Sequence, residues 1–308
     1  MKKYTLLKSA AVAGLTYSIS VAATKMFSHQ APRKIKPFFS QRAPYIFAHR
    51  GGLGLAPEHT MAAFQQAAEL QVDGFEIDIR LTKDNAIVVF HDALVDRVSN
   101  GSGLVSEHTL EELRALDFGY HFKDLNGNYP FRGRQDAKIV TLSELFEAFP
   151  DMLINIDIKD LSNTVKGKLA PALLYQLIVE KNSCDRVCVT SFDDEQIMRF
   201  NQFAHDKITI GAGQKEVARA FAAFHSGFKH TYQPQADTFQ IPVQFNGIPL
   251  NSESFIAYLQ KLNIAVGYWV VNSIDEMDDL LKRGAHTIVT DRPDIAMRLV
   301  HERLSNKV

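Results

Sequence analysis

The sequence predicts an α/β protein, a single (β/α)8 TIM barrel with a small insertion after the second strand. From Pro44 onward, short apolar runs alternate with amphipathic stretches, which is the pattern of a parallel sheet wrapped by helices. Eight such runs can be counted, enough to close a barrel. The length of 308 residues accommodates one barrel of about 250 residues behind a short leader. An open doubly wound sheet is the rival and wants a phosphate loop after the first strand. His49-Arg50-Gly51-Gly52-Leu53-Gly54 is glycine-rich, but Pro57 stands where the dinucleotide spacing needs its last glycine.

Lys2, Lys3 and Lys8 precede an uncharged small-residue run from Ser9 to Thr24, the form of an export signal. The run is shorter than the roughly 20 residues of a spanning helix, and Ser20, Ala22 and Ala23 suit a signal peptidase. Lys25, Arg33, Lys34 and Lys36 lie beyond it, so charge does not fix an orientation. Residues 1–24 are expected to be a signal peptide or an uncleaved membrane anchor, giving an exported (periplasmic or extracellular) or membrane-anchored protein. Residues 25–43, with Pro32 and Pro37 among basic residues, read as a linker, and 44–308 as the barrel.

The expected barrel strands are Tyr45–His49, Gly74–Ile79, Leu153–Ile158, Val187–Ser191, Ile208–Gly211, Thr238–Ile241, Ile264–Val271 and Thr287–Thr290. Amphipathic helices are expected at Thr60–Leu70, Leu161–Lys181, Asp193–Phe203, Gln214–Phe224, Ser252–Leu262 and Ile274–Arg283. Asp84-Asn85 reads as a turn, so Ile79–Thr82 and Ala86–Phe90 form a hairpin that returns His91 to the barrel mouth. An insertion follows at about 94–138, with a short helix at Thr109–Leu116 and many aromatics. It is read either as a cap over substrate or as a shield for the barrel edge.

With 34 basic and 35 acidic residues the net charge is −1, and nothing argues for nucleic acid as a partner. The only cysteines, Cys184 and Cys188, are too close along the chain for an unstrained bridge and are read as plain thiols.

The chemistry concentrates between Phe47 and Asp92. Side chains on a strand alternate faces, so Glu76 and Asp78 emerge together while Phe75, Ile77 and Ile79 face the other way. Two carboxylates that close favour a divalent metal between them. His49 and His91 each end an apolar run, where a strand gives way to a loop. Near neutral pH one imidazole can serve as base and the other as acid, which suits phosphodiester hydrolysis. Arg50 adds a fork-shaped phosphate contact.

The ordered string His49-Arg50-Gly51, Pro57-Glu58-X-Thr60, Ala63-Phe64, Glu76-X-Asp78, Thr82-Lys83-Asp84 and Val88-Val89-X-His91-Asp92 resembles the glycerophosphodiester phosphodiesterase family. The resemblance continues through Gln240-Ile241-Pro242, Phe245-Asn246-Gly247, Val266–Asn272 and Gly284–Pro293, nearly from Pro44 to the end. It implies a Ca²⁺- or Mg²⁺-dependent barrel enzyme that cleaves a glycerophosphodiester to glycerol 3-phosphate and an alcohol. His49 and His91 would be acid and base, and Glu76 and Asp78 metal ligands.

A third oxygen ligand is expected from Asp157, which shares a strand face with Lys159, a phosphate contact. The family usually has Glu at that position, so Asp157 is a departure. An ion pair between Asp157 and Lys159 is the competing reading. His59 replaces a family asparagine where a helix begins; Thr60 or His59 is expected to cap that helix, so the change is read as affecting capping rather than chemistry. Glu58 is read as an orienter of Arg50 or as a helix-start acid, and Asp92 as an orienter of His91 or a turn former. Trp269, the only tryptophan, is placed at the substrate site. Asn272 and the Asp291-Arg292-Pro293 corner are read as structural. Three alternatives remain: a lysophospholipase D acting on lysophospholipids, a metal-dependent lyase on the same barrel, and a catalytically silent barrel that binds a phosphate ligand.

Overall fold

The computed structural model describes residues 16–26 and 28–305. The start of the expected leader, with Lys2, Lys3 and Lys8, lies outside the described residues. Residues 16–26 are helical and almost wholly exposed. Among the described residues no helix is long and apolar enough to cross a membrane.

The strands are β1 (Tyr45–His49), β2 (Gly74–Leu81), β3 (Ile87–Val89), β4 (Leu153–Ile158), β5 (Val187–Thr190), β6 (Thr209–Ile210), β7 (Thr238–Ile241), β8 (Gln244–Phe245), β9 (Ile248–Pro249), β10 (Ala265–Tyr268) and β11 (Thr287–Thr290). Eight of them lie side by side, all parallel, in the order β6, β5, β4, β2, β1, β11, β10, β7. A lone parallel bridge from Gly211 to Thr238 joins the two ends into a nearly closed barrel. The seam between β6 and β7 is therefore the weakest part of the wall. Successive residues alternate as a strand requires. Tyr45, Phe47, Cys188 and Val289 pack together with Phe38, while Ile46, Phe75, Ile77, Ile154 and Val189 join the main core.

The expected hairpin is present, with β3 antiparallel to β2 and Ile79 opposite Val89. Its turn is held by the Thr82 hydroxyl donating to Asp84 at 2.6 Å and by Asn85 at a φ of 65°. A second small hairpin, β8–β9, follows β7 and was not expected.

The helices are α1 (Met61–Glu69), α2 (Leu110–Ala115), α3 (Leu142–Ala148), α4 (Val165–Glu180), α5 (Asp194–Ala204), α6 (Gln214–His225), α7 (Glu253–Gln260), α8 (Ile274–Lys282) and α9 (Pro293–Ser305). Two of them escape the periodicity reading, α3 because it is only two turns long and α9 because its pattern is weak. Both carry start signals all the same. A reciprocal Thr141/Glu144 capping box opens α3, and Pro293 opens α9.

The segment expected to be a linker is packed against the base of the barrel. The Arg33 backbone N–H donates to Leu262 at 2.9 Å, and its guanidinium pairs with Asp206 and Asp237. Lys36 Nζ reaches Asp237 at 2.7 Å and donates to the Ile208 carbonyl at 2.8 Å, and Phe38 stacks on Phe47. The insertion forms a satellite core from Val95, Val105, Leu113 and Phe118 with Val88 and Phe90. None of its residues lines the central cavity, because its aromatics are used in its own packing. It shields the barrel edge, and the expectation of a substrate cap is corrected. Cys184 lies in a 3₁₀ turn and Cys188 in β5, both as free thiols whose pKa burial raises.

Candidate active site

Strand ends build the site. β1 delivers His49 and Arg50, β2 delivers Glu76 and Asp78, β4 delivers Asp157 and Lys159, and the β3 exit delivers His91. The β2–β4 register sets Glu76 beside Asn155 and Asp78 beside Asp157, so two rows of oxygens face one cavity of about 640 Å³. His49, Arg50, Glu76, Asp78, His91, Asp157, Lys159 and Trp269 all line it, whereas Glu58 and Asp92 stand one layer behind. After Arg50 the chain turns sharply through Gly51 and Gly52, with φ of 83° and 91°. A Cβ on Gly51 would come within 3.0 Å of Ala63, so glycine also lets α1 lie close to the site.

Each histidine has a carboxylate on Nδ1. His49 contacts Asp291 Oδ1 at 2.5 Å, and His91 contacts Asp92 Oδ1 at 2.6 Å. That arrangement fixes the ring and leaves Nε2 for chemistry. Burial opposes charge on His49, but the Asp291 hydrogen bond and the Glu76 charge outweigh it and raise the pKa. At His91 burial prevails, aided by Arg50 and Lys159, and the pKa is lowered.

Among the acids, burial and then the Asp78 carboxylate push Glu76 up to about 7. Burial likewise lifts Asp157 to about 6 against the pull of Lys159. Asp78 is buried too, but the positive charge around it, chiefly the Lys159 ammonium and the Arg50 guanidinium, holds it below the usual carboxylate range.

Four buried oxygens here have no hydrogen-bond partner: Glu76 Oε2, Asp78 Oδ2, Asn155 Oδ1 and Asp157 Oδ1. Such atoms are costly to bury unless something binds them, and an all-oxygen set suits a hard divalent cation. The donors fit in chemistry. The other oxygens of the two aspartates already hold the Lys159 ammonium, 2.9 Å from Asp78 Oδ1 and 2.7 Å from Asp157 Oδ2, and Arg50 Nε lies 3.4 Å from Asp78 Oδ2. Lys159, expected on phosphate, is thus drawn into the ion pair. Among the described residues no three His, Cys, Asp or Glu side chains stand together at metal-holding geometry.

Several participants escaped the sequence reading. Asp291, read as a structural corner, orients His49, and Asn272 in turn donates to Asp291 Oδ2 at 2.7 Å. No local motif signals a contact across 242 positions. His59 is not the helix cap. Thr60 caps α1, and His59 lies buried with Nε2 accepting from the Asp78 backbone N–H at 3.2 Å. Burial drives His59 down to about 3, which keeps the ring neutral. Arg97 of the insertion grips both Glu58 oxygens at 2.8 and 2.7 Å and Asp92 at 2.6 Å. Glu58 also accepts from Arg50 at 3.0 Å, so both orienting roles considered for Glu58 and Asp92 meet at one guanidinium. Burial opposes its charge, but Arg97 and the other bases bring Glu58 down to about 2. Asn155 was detectable, because period two puts it on the Asp157 face.

Trp269 is pinned by its indole N–H donating to the Gln240 carbonyl at 2.8 Å and by an edge contact with Phe192. Beyond it the cavity turns apolar, along α6 and the β8–β9 hairpin.

Comparison with known proteins identifies the family. A profile of the glycerophosphoryl diester phosphodiesterase family matches residues 49–295. A glycerophosphodiester phosphodiesterase from Caldanaerobacter subterraneus is 34% identical over 262 residues, covering 83% of this chain and 98% of that one. Another from Bacillus subtilis is 27% identical over 255 residues, covering 80% and 83%. Among solved structures, the glycerophosphoryl diester phosphodiesterase domain of a Mycobacterium tuberculosis protein superposes with a TM-score of 0.70 at 21% identity, covering 83% and 98%. An Oleispira antarctica phosphodiesterase, solved with the product sn-glycerol-3-phosphate, gives 0.68 at 21% identity, covering 84% and 97%. The chain belongs to the glycerophosphoryl diester phosphodiesterase family and is a phosphodiester hydrolase.

Proposed function

We propose that the protein hydrolyses glycerophosphodiesters to glycerol 3-phosphate and an alcohol, with His49 and His91 as the acid–base pair and Glu76, Asp78 and Asp157 as ligands for Ca²⁺ or Mg²⁺. The observation that carries this reading is the convergence of two carboxylate-oriented imidazoles on one cavity with unpartnered acidic oxygens. The relatives' names and the product held by the Oleispira enzyme support the substrate class. When bound, the cation would offset charge on the non-bridging phosphate oxygens. Arg50, whose buried Nε has no hydrogen-bond partner, adds a second positive contact, and Lys159 a third. One imidazole takes the proton of the attacking oxygen as its bond to phosphorus forms. The other gives a proton to the alkoxide as the ester bond breaks. Trp269 walls the glycerol side. Export or anchoring through residues 1–24 is part of the same proposal, supported by Lys2, Lys3 and Lys8 before the small-residue run.

The test is choline release from glycerophosphocholine with EDTA, then with each metal restored, beside calorimetric titration of Ca²⁺ and Mg²⁺. His49→Ala is expected to lose about 10²- to 10⁴-fold in kcat. Glu76→Ala is expected to lose the calorimetric signal. Near-normal turnover in both variants would overturn the assignment. A silent binding barrel predicts metal and ligand uptake without turnover.

A further inference from the structure

The β3 ladder stops at Val89, two residues before His91. Beyond it the Phe90 N–H donates to the Asp78 carbonyl at 2.8 Å, and Asp92 holds the His91 ring. A side chain that moves a proton has to stay within about 0.5 Å of its productive place, which a residue past the end of a ladder does not do unaided. A further anchor comes from β2. Period two puts Arg80 on the strand face of Glu76 and Asp78, one step nearer the mouth. Its Nε donates to the His91 carbonyl at 2.9 Å, and its Nη1 donates to the Lys159 carbonyl at 3.4 Å and to Asp160 Oδ1 at 3.2 Å. The other Asp160 oxygen accepts from the Leu81 backbone N–H at 2.9 Å, so the carboxylate that answers the Arg80 charge is itself fixed. Arg80 does not line the cavity and acts on it only through what it holds.

We propose that Arg80 is a positioning residue that fixes His91 relative to Lys159. The consequence for turnover rests on the hydrolytic reading above, whereas the tether does not. One planar guanidinium spans the exits of β3 and β4, so the two backbones that bring an imidazole and an ammonium to the cavity share one rigid fork. Asp92 sets the rotation of the His91 ring, and Arg80 sets the backbone from which that ring hangs. The spacing between the proton-transfer group and a phosphate contact is thus held from outside the cavity. A lysine at this position would keep the charge and hold one carbonyl, but it has no fork with which to bridge two.

The control is Arg186, which grips backbone in the same manner far from the histidines, donating to the Phe149 and Met152 carbonyls at 3.0 Å each from the turn that precedes β5. In the metal-loaded protein, Arg80→Ala is expected to lower kcat for glycerophosphocholine about 10- to 100-fold and to change KM by less than about threefold. Arg80→Lys is expected to recover part of that loss. Arg186→Ala is expected to weaken the fold in urea and to leave kcat near that of the wild type. A second readout needs no turnover. In protein labelled with ¹⁵N at histidine, the His91 ring signals, assigned through His91→Gln, are expected to broaden or split in Arg80→Ala while those of His49 stay where they are. Should Arg80→Ala fail to fold, Arg80→Gln makes the same comparison. A His91 ring unmoved by the loss of Arg80, or a fall in kcat no larger than that of Arg186→Ala, overturns the proposal. His91 signals that depend on Arg80 in a wild type with no turnover would leave the tether standing and sink the hydrolytic reading.

Discussion

Two clusters of buried cations and acids sit at opposite ends of this barrel, and they differ in how completely they are paired. At the base, Asp237 takes Arg33 and Lys36 on its two oxygens and the Ile210 backbone N–H as well, while Lys36 adds Asp206 and the Ile208 carbonyl. None of those base atoms is among the buried groups lacking a partner. At the mouth, Arg50 and Lys159 face Glu76, Asp78 and Asp157, and four oxygens and one guanidinium nitrogen have no hydrogen bond, although Arg50 Nε and Asp78 Oδ2 stand 3.4 Å apart as an ion pair. The same residue types thus do two jobs. A saturated cluster locks the chain to itself, and an unsaturated one keeps bonding capacity for something else.

The sharpest break in this comparison is at Asp237. Asp237→Ala leaves Arg33 and Lys36 only the half-exposed Asp206 as a carboxylate partner and strands the Ile210 backbone N–H, and is expected to cost about 1–3 kcal/mol in urea unfolding. Glu76→Gln removes a buried charge with no hydrogen-bond partner on one oxygen and is expected to leave the metal-free protein as stable as before or more so. Equal losses in both variants would erase the distinction. Next in size, Asp291→Ala releases His49 and is expected to lower kcat by roughly 10- to 100-fold with unfolding unchanged. A fall in stability without a fall in kcat would return Asp291 to a structural role.

A third measurement concerns pH at the base. His286 lies stacked on Tyr45 with Phe39 against its edge, and burial pushes it down from 6.5 to about 4. A histidine depressed in the folded state loses stability as pH falls, because the unfolded chain takes up the proton first. The loss begins near 6.5 and is complete below 4, which makes it about 2 kcal/mol at pH 5. His286→Phe is expected to remove that share of the acid destabilisation, and an unchanged gap between pH 7.5 and pH 5 would refute it. The smallest effect is expected at Arg97, half exposed although it ties Glu58 to Asp92. Arg97→Ala is expected to reduce kcat by about tenfold or less and to shift the pH profile, with Arg97→Lys recovering part of both. A change in stability alone would make it a mere staple.

Much of the mouth was legible because strand geometry is local. Glu76 and Asp78 share a face by period two, and His49 and His91 end apolar runs, so sequence spacing alone aims them at one opening. The same rule would have found Asn155. Asp291, Arg97 and the deeper role of His59 depend on contacts between segments far apart in the chain, which no spacing encodes. The insertion misled for a related reason. Its aromatics advertise a binding surface, and only packing reveals that Phe118 and Phe131 are already buried.

By itself the sequence determined the strand–helix alternation, the barrel, and the acids and imidazoles at strand ends, because backbone periodicity carries that information residue by residue. Only the tertiary structure decided which of those groups lack hydrogen bonds, that Lys159 sits between two acids, that the expected linker clasps the base, and that the barrel closes between β6 and β7 through a single bridge. Pairing and closure depend on which distant segments meet, and that is set by packing the whole chain.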